Sequence, residues 1–314
     1  MSRAAPSACI DFAATGLPDQ PALRRTFGAP LRVLQANALH EVRGVLEAAE
    51  AASLAGHWCV GFLAYEAAAA FDAALPVHPP QPGLPLAWWA VYPSQSTADR
   101  TEPIEPADPD AVSATWTEGL SRPRFDADLA ALHQAIADGE VYQVNHTTLL
   151  HGALQTGRAW DLWAALRREQ PGGFGAWIDG GDWQVLSASP ELFFDWNRRQ
   201  LLMRPMKGTA ARGADADADA ASAAALRATP KERAENVMIV DLVRNDVSRV
   251  AEPHSVRVPR LFHLEPLPTV WQMTSDVQAT TRSGTGLWQV MQALFPCGSI
   301  TGAPKRQAMR HIRQ

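Results

Sequence analysis

An α+β fold is predicted for this 314-residue chain by three features of its sequence. Strand-like and helix-like runs are mixed without the regular strand–helix–strand rhythm of a parallel sheet. Phe125, Leu129, Leu132 and Ile136 recur at helical spacing, and the run stops at Gly139. Short apolar runs at Phe174 to Ile178, Trp183 to Ser187 and Glu191 to Trp196 predict an antiparallel meander, the first two being joined by Asp179-Gly180-Gly181-Asp182.

From the amino terminus, Val42, Val45, Leu46 and Ala49 mark a helix that Gly56 ends, followed by a strand at Trp58 to Tyr65. Prolines interrupt Leu75 to Pro109 everywhere except Leu86 to Tyr92, which reads as a buried strand. The Pro-, Asp- and Ser-bearing stretch Ile104 to Pro123 is the expected junction between an amino-terminal region, residues 1–118, and a second domain, residues 119–314, although one sheet system can run across it. Beyond the helix at Phe125 come a strand at Val141 to Leu150, a helix at Trp160 to Arg168, the Pro171-Gly172-Gly173 break and the meander. Leu201, Leu202 and Met203 read as a buried strand, and the Ala/Asp-rich stretch Ala210 to Ala224 as a mobile loop. Asp215, Asp217 and Asp219 in that loop are read as solvated rather than metal-binding. A helix is expected from Lys231 to Val250, its acidic first turn suiting the helix dipole. Strands at Ser255 to Val258 and Val270 to Thr280 and a helix at Leu287 to Phe295 complete the series.

With 46% hydrophobic residues the chain can bury a large core. No run of eighteen apolar residues occurs, and Met1 to Gly16 lacks the basic start and apolar middle of a signal peptide, so a cytoplasmic protein is expected. Cys9, Cys59 and Cys297 are scattered and odd in number, which supports neither a disulfide framework nor a zinc site. A net charge of -5 disfavours nucleic acid or an anionic membrane as partner. The 11 tryptophans fall singly or as Trp88-Trp89 in apolar runs, as core packing requires.

The chemistry-bearing residues lie in four blocks. Lys207, in Arg204-Pro205-Met206-Lys207-Gly208-Thr209, sits between an apolar strand and a glycine. A lysine there is ordinarily a surface group, but burial would lower its pKa and free its amine to attack carbon. Glu191 follows Ser189-Pro190 and opens the apolar run Leu192-Phe193-Phe194, which would desolvate it, raise its pKa and suit it to donate a proton. Glu232 and Glu235 are three apart at a helix start, where they share a face that can meet one hard cation, or simply solvent. Gly298 to Lys305 reads as a glycine-bounded loop entering a helix with Pro304 in its first turn, an anion seat or a plain cap, with Ser299 and Thr301 as hydroxyl contacts. Asp241, Arg244, Asn245 and Asp246 read as a buried polar network bracing the glutamate helix.

Taken together and in this order, the blocks resemble those of the chorismate-utilising enzymes: the anthranilate, aminodeoxychorismate, isochorismate and salicylate synthases. The resemblance runs from about Phe125 to the end, and is closest to the aminodeoxychorismate synthases, because their block carries lysine where anthranilate synthases carry alanine. It implies an anthranilate synthase component I-like fold, antiparallel sheets packed together with helices on the outside. It further implies chorismate as substrate, Mg²⁺ held at Glu235 with Glu232 supporting a metal-bound water, Glu191 as general acid and Lys207 as nucleophile. Gly208 and Thr209 would approach the substrate. Ammonia would come from a separate glutamine amidotransferase subunit, since no Cys-centred amidotransferase block is present, and the product would be 4-amino-4-deoxychorismate for para-aminobenzoate and folate. Anthranilate synthase component I and a non-catalytic chorismate-binding remnant stand as the alternatives.

Gln143 stands where the isochorismate and salicylate branches place a water-activating lysine, and Gln272 where many relatives have histidine; both are expected at the substrate. Family members continue beyond the point matching Gln314, with an arginine for a substrate carboxylate, a glycine-rich loop and further metal-site glutamates. The expectation is therefore a fragment lacking its carboxy-terminal part, which by itself need not turn over substrate.

Overall fold

A computed structural model describes residues 8–17, 20–94, 97–99, 112–117 and 119–314. In chain order the first elements are β1 (Ala8–Phe12), β2 (Leu23–Phe27), β3 (Arg32–Ala36), α1 (Val42–Leu54), β4 (Trp58–Leu63), α2 (Ala68–Phe71), β5 (Ala87–Tyr92), β6 (Thr97–Asp99), β7 (Ser113–Thr117) and α3 (Arg122–Ala137). Then follow β8 (Gln143–Val144), β9 (His151–Thr156), α4 (Ala159–Glu169), β10 (Phe174–Asp179), β11 (Gln184–Ser189), β12 (Leu192–Asn197), β13 (Gln200–Arg204) and β14 (Met206–Ala211). The last are α5 (Ala216–Ala228), α6 (Pro230–Ser248), β15 (Arg257–Pro266), β16 (Val270–Thr280), α7 (Leu287–Leu294), α8 (Gly298–Thr301), β17 (Gly302–Ala303) and α9 (Lys305–Arg313). Every strand pairing among the described residues is antiparallel, and with the helices this is the α+β class.

The chain forms two compact units: Met1–Gln134 with His146–Pro190, and Ala135–Asn145 with Glu191–Gln314. In the first, a five-stranded sheet runs β11-β10-β1-β2-β6 and a three-stranded sheet runs β3-β5-β4. Their facing residues Ile10, Phe27, Val60, Trp88, Tyr92 and Ile178 make one apolar core. The strand expected from Leu86 to Tyr92 is β5, buried along its whole length. The apolar stripe of α1 buries Val42, Val45, Leu46, Ala49 and Ala52 against β3, β4 and β5. Because β10 and β11 join the sheet that β1 starts, one sheet system does run across the expected junction. Residues 104–111 and 118 of that junction lie outside the described residues.

In the second unit the sheet runs β12-β13-β16-β14, with β15 on the other side of β16. The inner face, Leu201, Met203, Val277 and Ala279, packs against Ile239, Val240, Val243 and Val247 of α6 and Val290 and Leu294 of α7. Strands β13 and β14 lie end to end along β16. Met203 faces Val277 and Met206 faces Thr274 in one register, and Pro205, which has no N–H to donate, fills the break while its carbonyl accepts from Ser275. The register then slips between Met206 and Thr209. Lys207 and Gly208 therefore form a bulge, which re-aims the lysine out of the ladder's alternation.

Several expectations are corrected. The stretch Ala210 to Ala224 is not a loop: β14 continues to Ala211 and α5 begins at Ala216. Its alanines are the best helix formers, and Asp215 caps the helix by accepting from Ala218 N at 2.8 Å. Asp219 is no solvated acid; it accepts from Arg212 Nε, Gly213 N and Trp271 Nε1 at 2.8, 2.9 and 2.9 Å. The strand expected at Val141 to Leu150 shrinks to Gln143–Val144, and the strand proper begins at His151. The run at Glu191 to Trp196 leaves the meander and pairs with β13 in the other sheet. The strand expected at Ser255 to Val258 starts at Arg257 and runs on to Pro266. Of the Asp241 to Asp246 network only Asp246 is buried, while Asp241 and Arg244 pair on the surface.

Candidate active site

The Lys207–Gly208 bulge fixes the site's floor. Gly208 has φ +102, a conformation that costs an L-residue, and a Cβ on it would stand 3.2 Å from Met273 Cβ and 3.3 Å from Glu232 Oε2. Glycine is thus what allows the first turns of α6 to press onto β14. Pro230 opens that helix at its first position, where a missing N–H costs nothing. Glu232, Glu235 and Asn236 then fall on one face. Asn236 is buried, its Nδ2 donating to the Lys207 carbonyl at 3.3 Å and its Oδ1 accepting from Ser275 Oγ at 2.6 Å. The bulge is in this way tied to both helix and sheet.

Burial draws the pKa of Lys207 below the ordinary lysine value, and the negative charges of Glu191 and Glu235, with Cys297, pull it partly back. Glu191 is shifted the other way: burial pushes its carboxyl up, against the Ser299 hydrogen bond, the Lys207 charge and the Met206 amide. Burial thus works against the charged form of each group, while their mutual attraction works for it. Lys207 feels the charges of both Glu191 and Glu235. Glu232 stands over Gly208, while Glu235 also lies 3.9 Å from Lys231 Nζ at the surface. Among the described residues no three His, Cys, Asp or Glu side chains cluster as a metal cage.

Ser299 and Thr301, expected as hydroxyl contacts for an anion, are buried and their hydroxyl protons are committed. Ser299 Oγ donates to Glu191 Oε1 at 2.6 Å, and Thr301 Oγ1 donates to the Cys297 carbonyl at 3.1 Å. The expected loop holds the four-residue turn α8, and Pro304 lies at the N-cap of α9 rather than within its first turn. Thr209 donates to Gln272 Oε1 at 2.9 Å across the β14–β16 ladder, on its exposed side. Gln143 donates to Asn145 Oδ1 at 3.3 Å, and its own Oε1 is buried without a partner.

Asn145 is the functional residue that sequence reasoning passed over. Its Oδ1 accepts from Lys207 Nζ at 3.2 Å, and its Nδ2 donates to the carbonyls of Ser299 and Ile300 at 2.7 and 2.8 Å. The segment is placed by β8 pairing with β17, where Gly302 at φ +138 lets the two backbones approach; a Cβ there would stand 2.2 Å from Gln143 O. Nothing in the local pattern around Asn145 announces a partner that far along the chain. Lys305 closes the far side of the loop through a buried ion pair with Asp246 at 2.7 Å.

The family described as chorismate binding enzyme matches residues 14–314 of this chain. The chain is 40% identical over 201 residues to aminodeoxychorismate synthase component 1 of Klebsiella aerogenes, which covers 64% of this chain and 44% of that protein. It is 36% identical over 214 residues to anthranilate synthase component 1 of Streptomyces coelicolor, covering 68% and 42%. The solved structure of anthranilate synthase component I from Streptococcus pneumoniae superposes with a TM-score of 0.72 at 22% identity, over 98% of this chain and 75% of that one, a likeness of fold. The chain spans less than half the length of the curated relatives it matches.

Proposed function

The chain belongs to the chorismate binding enzymes, and from that premise we propose that it carries the reactive centre of an aminodeoxychorismate synthase component 1. The observation that supports this reading is the chain of contacts that links the two groups, Lys207 Nζ to Asn145 Oδ1 at 3.2 Å, Asn145 Nδ2 to the Ser299 carbonyl at 2.7 Å and Ser299 Oγ to Glu191 Oε1 at 2.6 Å, with burial lowering the lysine and raising the acid. Chorismate must lose a hydroxyl at C4, a poor leaving group. Glu191 donates a proton to that oxygen as it departs, and Lys207 adds at C2, so the hydroxyl leaves as water. Ammonia then adds at C4 and expels the lysine, which restores the amine and gives 4-amino-4-deoxychorismate. Asn145 holds the Lys207 amine through Oδ1 and so keeps its lone pair directed. Gln143, neutral and adjacent, offers no base for activating water.

The donor chemistry at α6 fits Mg²⁺ in kind: Glu235 and Glu232 present hard oxygens on one helix face, and this ion keeps several waters. Bound there, it would supply positive charge to a substrate carboxylate. Ammonia is assigned to a separate glutamine amidotransferase subunit, and the compartment to the cytoplasm. No helix among the described residues is long and apolar enough to cross a membrane.

The relative named anthranilate synthase component 1 keeps a second product in view, and Lys207 opposes it, since that branch carries alanine there. Incubation with chorismate, Mg²⁺ and ammonium, followed by chromatography, is expected to give 4-amino-4-deoxychorismate in the wild type and none in Lys207→Ala. Anthranilate as product would overturn the assignment. Chorismate binding without turnover would make the chain a non-catalytic binder.

A further inference from the structure

Resting on the acid role proposed for Glu191, we infer that Ser299 and Cys297 form a hydrogen-bond relay that positions this carboxyl, with the thiol of Cys297 as its terminal donor. The direction follows from counting protons. A serine hydroxyl has one, and the 2.6 Å contact of Ser299 Oγ with Glu191 Oε1 takes it. With the acid's own proton on Oε2 and Oε1 left to accept, the 3.1 Å contact between Cys297 Sγ and Ser299 Oγ has the thiol as donor. Cys297 is 8% exposed, and burial pushes its thiol up, so it keeps its proton.

The main chain of Cys297 and of Ser299 is held in place. The Cys297 carbonyl accepts from Ile300 N at 3.2 Å, Thr301 N at 3.2 Å and Thr301 Oγ1 at 3.1 Å, which pins the start of α8. Asn145 Nδ2 holds the Ser299 carbonyl from the opposite side. The thiol therefore orients the hydroxyl, and the hydroxyl orients the acid. Lys207 and the Met206 amide bear on the same carboxyl, and Lys305 and Glu191 on the thiol. Packing alone would ask only for a small apolar side chain at position 297; the relay asks for a donor. Cys297 is a positioning residue in this scheme, since it reaches substrate only through Ser299 and Glu191.

Two variants separate these roles: Cys297→Ala removes the donor and Cys297→Ser restores one. With chorismate and ammonium, Cys297→Ala is expected to lower kcat by about tenfold at nearly unchanged KM, with Cys297→Ser recovering most of the loss. Equal losses in the two variants, or none in either, would overturn the relay. A second readout needs no turnover. The difference infrared spectrum of wild type minus Cys297→Ala isolates the S–H stretch of this thiol. A band lowered from its position in the urea-unfolded chain, moving back in Ser299→Ala, is expected; a band at the unfolded position, or unmoved in Ser299→Ala, refutes the relay. Glu191→Gln distinguishes the two levels. If that variant keeps full activity while the infrared shift persists, the relay stands and the acid role falls.

Discussion

Asn145 joins the amine of Lys207 to the loop that carries the hydrogen-bond donor of Glu191: one oxygen accepts from Lys207 Nζ at 3.2 Å while the amide nitrogen holds the Ser299 carbonyl at 2.7 Å. Replacing Asn145 by alanine removes both grips. The expected loss is about ten- to a hundredfold in kcat, the range for a hydrogen bond to a charged or reacting group. Steady-state kinetics with ammonium would measure it, and a loss seen only in KM would contradict the positioning role.

Gly208→Ala should destabilise the second unit. It forces an alanine into φ +102 and sets its methyl 3.2 Å from Met273 and 3.3 Å from Glu232 Oε2. A cost of about 1–3 kcal/mol is expected from the conformational penalty, read from urea midpoints by circular dichroism. Because Glu232 must give way, chorismate turnover should fall as well.

The buried pair Lys305–Asp246 predicts an asymmetry. Lys305→Met strands the Asp246 carboxyl, whose pKa burial already pushes up, and should cost about 3 kcal/mol. The double variant Lys305→Met with Asp246→Leu should recover most of it. If the double variant unfolds as readily as the single one, an unpaired carboxyl is not the cause.

The opposed shifts of Glu191 and Lys207 set a dependence on pH. Glu191 binds its proton more tightly folded than unfolded, so its contribution is fully present below about pH 4.3, the ordinary glutamate value, and is lost as pH rises through its raised folded pKa. Lys207 has the reverse sense: the folded state is penalised while the amine is charged and is relieved as pH climbs towards about 10.4, the ordinary lysine value. Urea midpoints of wild type should fall with pH just above the ordinary glutamate range, and Glu191→Gln should remove that fall. Parallel curves for the two proteins would rule this out.

Asp219 gives the opposite acid response. The Arg212 guanidinium first of all, with the Gly213 amide and Trp271, holds its carboxyl far below the usual carboxylate range. Its contribution is present above about pH 3.9 and disappears as the pH drops towards the depressed folded value. Asp219→Asn should therefore melt earlier than wild type at neutral pH, and the two melting temperatures should converge in acid.

Residues that work within one short stretch were legible from the sequence. The helical spacing at Phe125 to Ile136 and the continuous apolar run of β5 gave those elements directly, and the contexts of Glu191 and Lys207 gave the sign of both pKa shifts. Composition misled at Ala210 to Ala224, where alanine's helix propensity and an Asp cap outweigh the look of low complexity. At Val141 to Leu150 the ladder ends after Val144, with Asn145 N still donating to Thr301 O at 3.0 Å, and the strand does not continue through the polar run Asn145-His146-Thr147-Thr148, which the apolar residues on either side concealed. The bulge at Lys207 was hidden for a different reason: a one-residue register slip depends on the partner strand, β16, and no local pattern records it.

The short ladder of β8 with β17 has a mechanical meaning. Asn145 follows it directly on one strand, and Ser299 precedes it by a few residues on the other, so both lie at the same end of the ladder. A strain that separates these strands would slacken the grip on the nucleophile and on the acid in the same movement. On the proposed mechanism these two groups act in a single step, so damage arriving from this side would remove amine and proton donor at once rather than one of them alone.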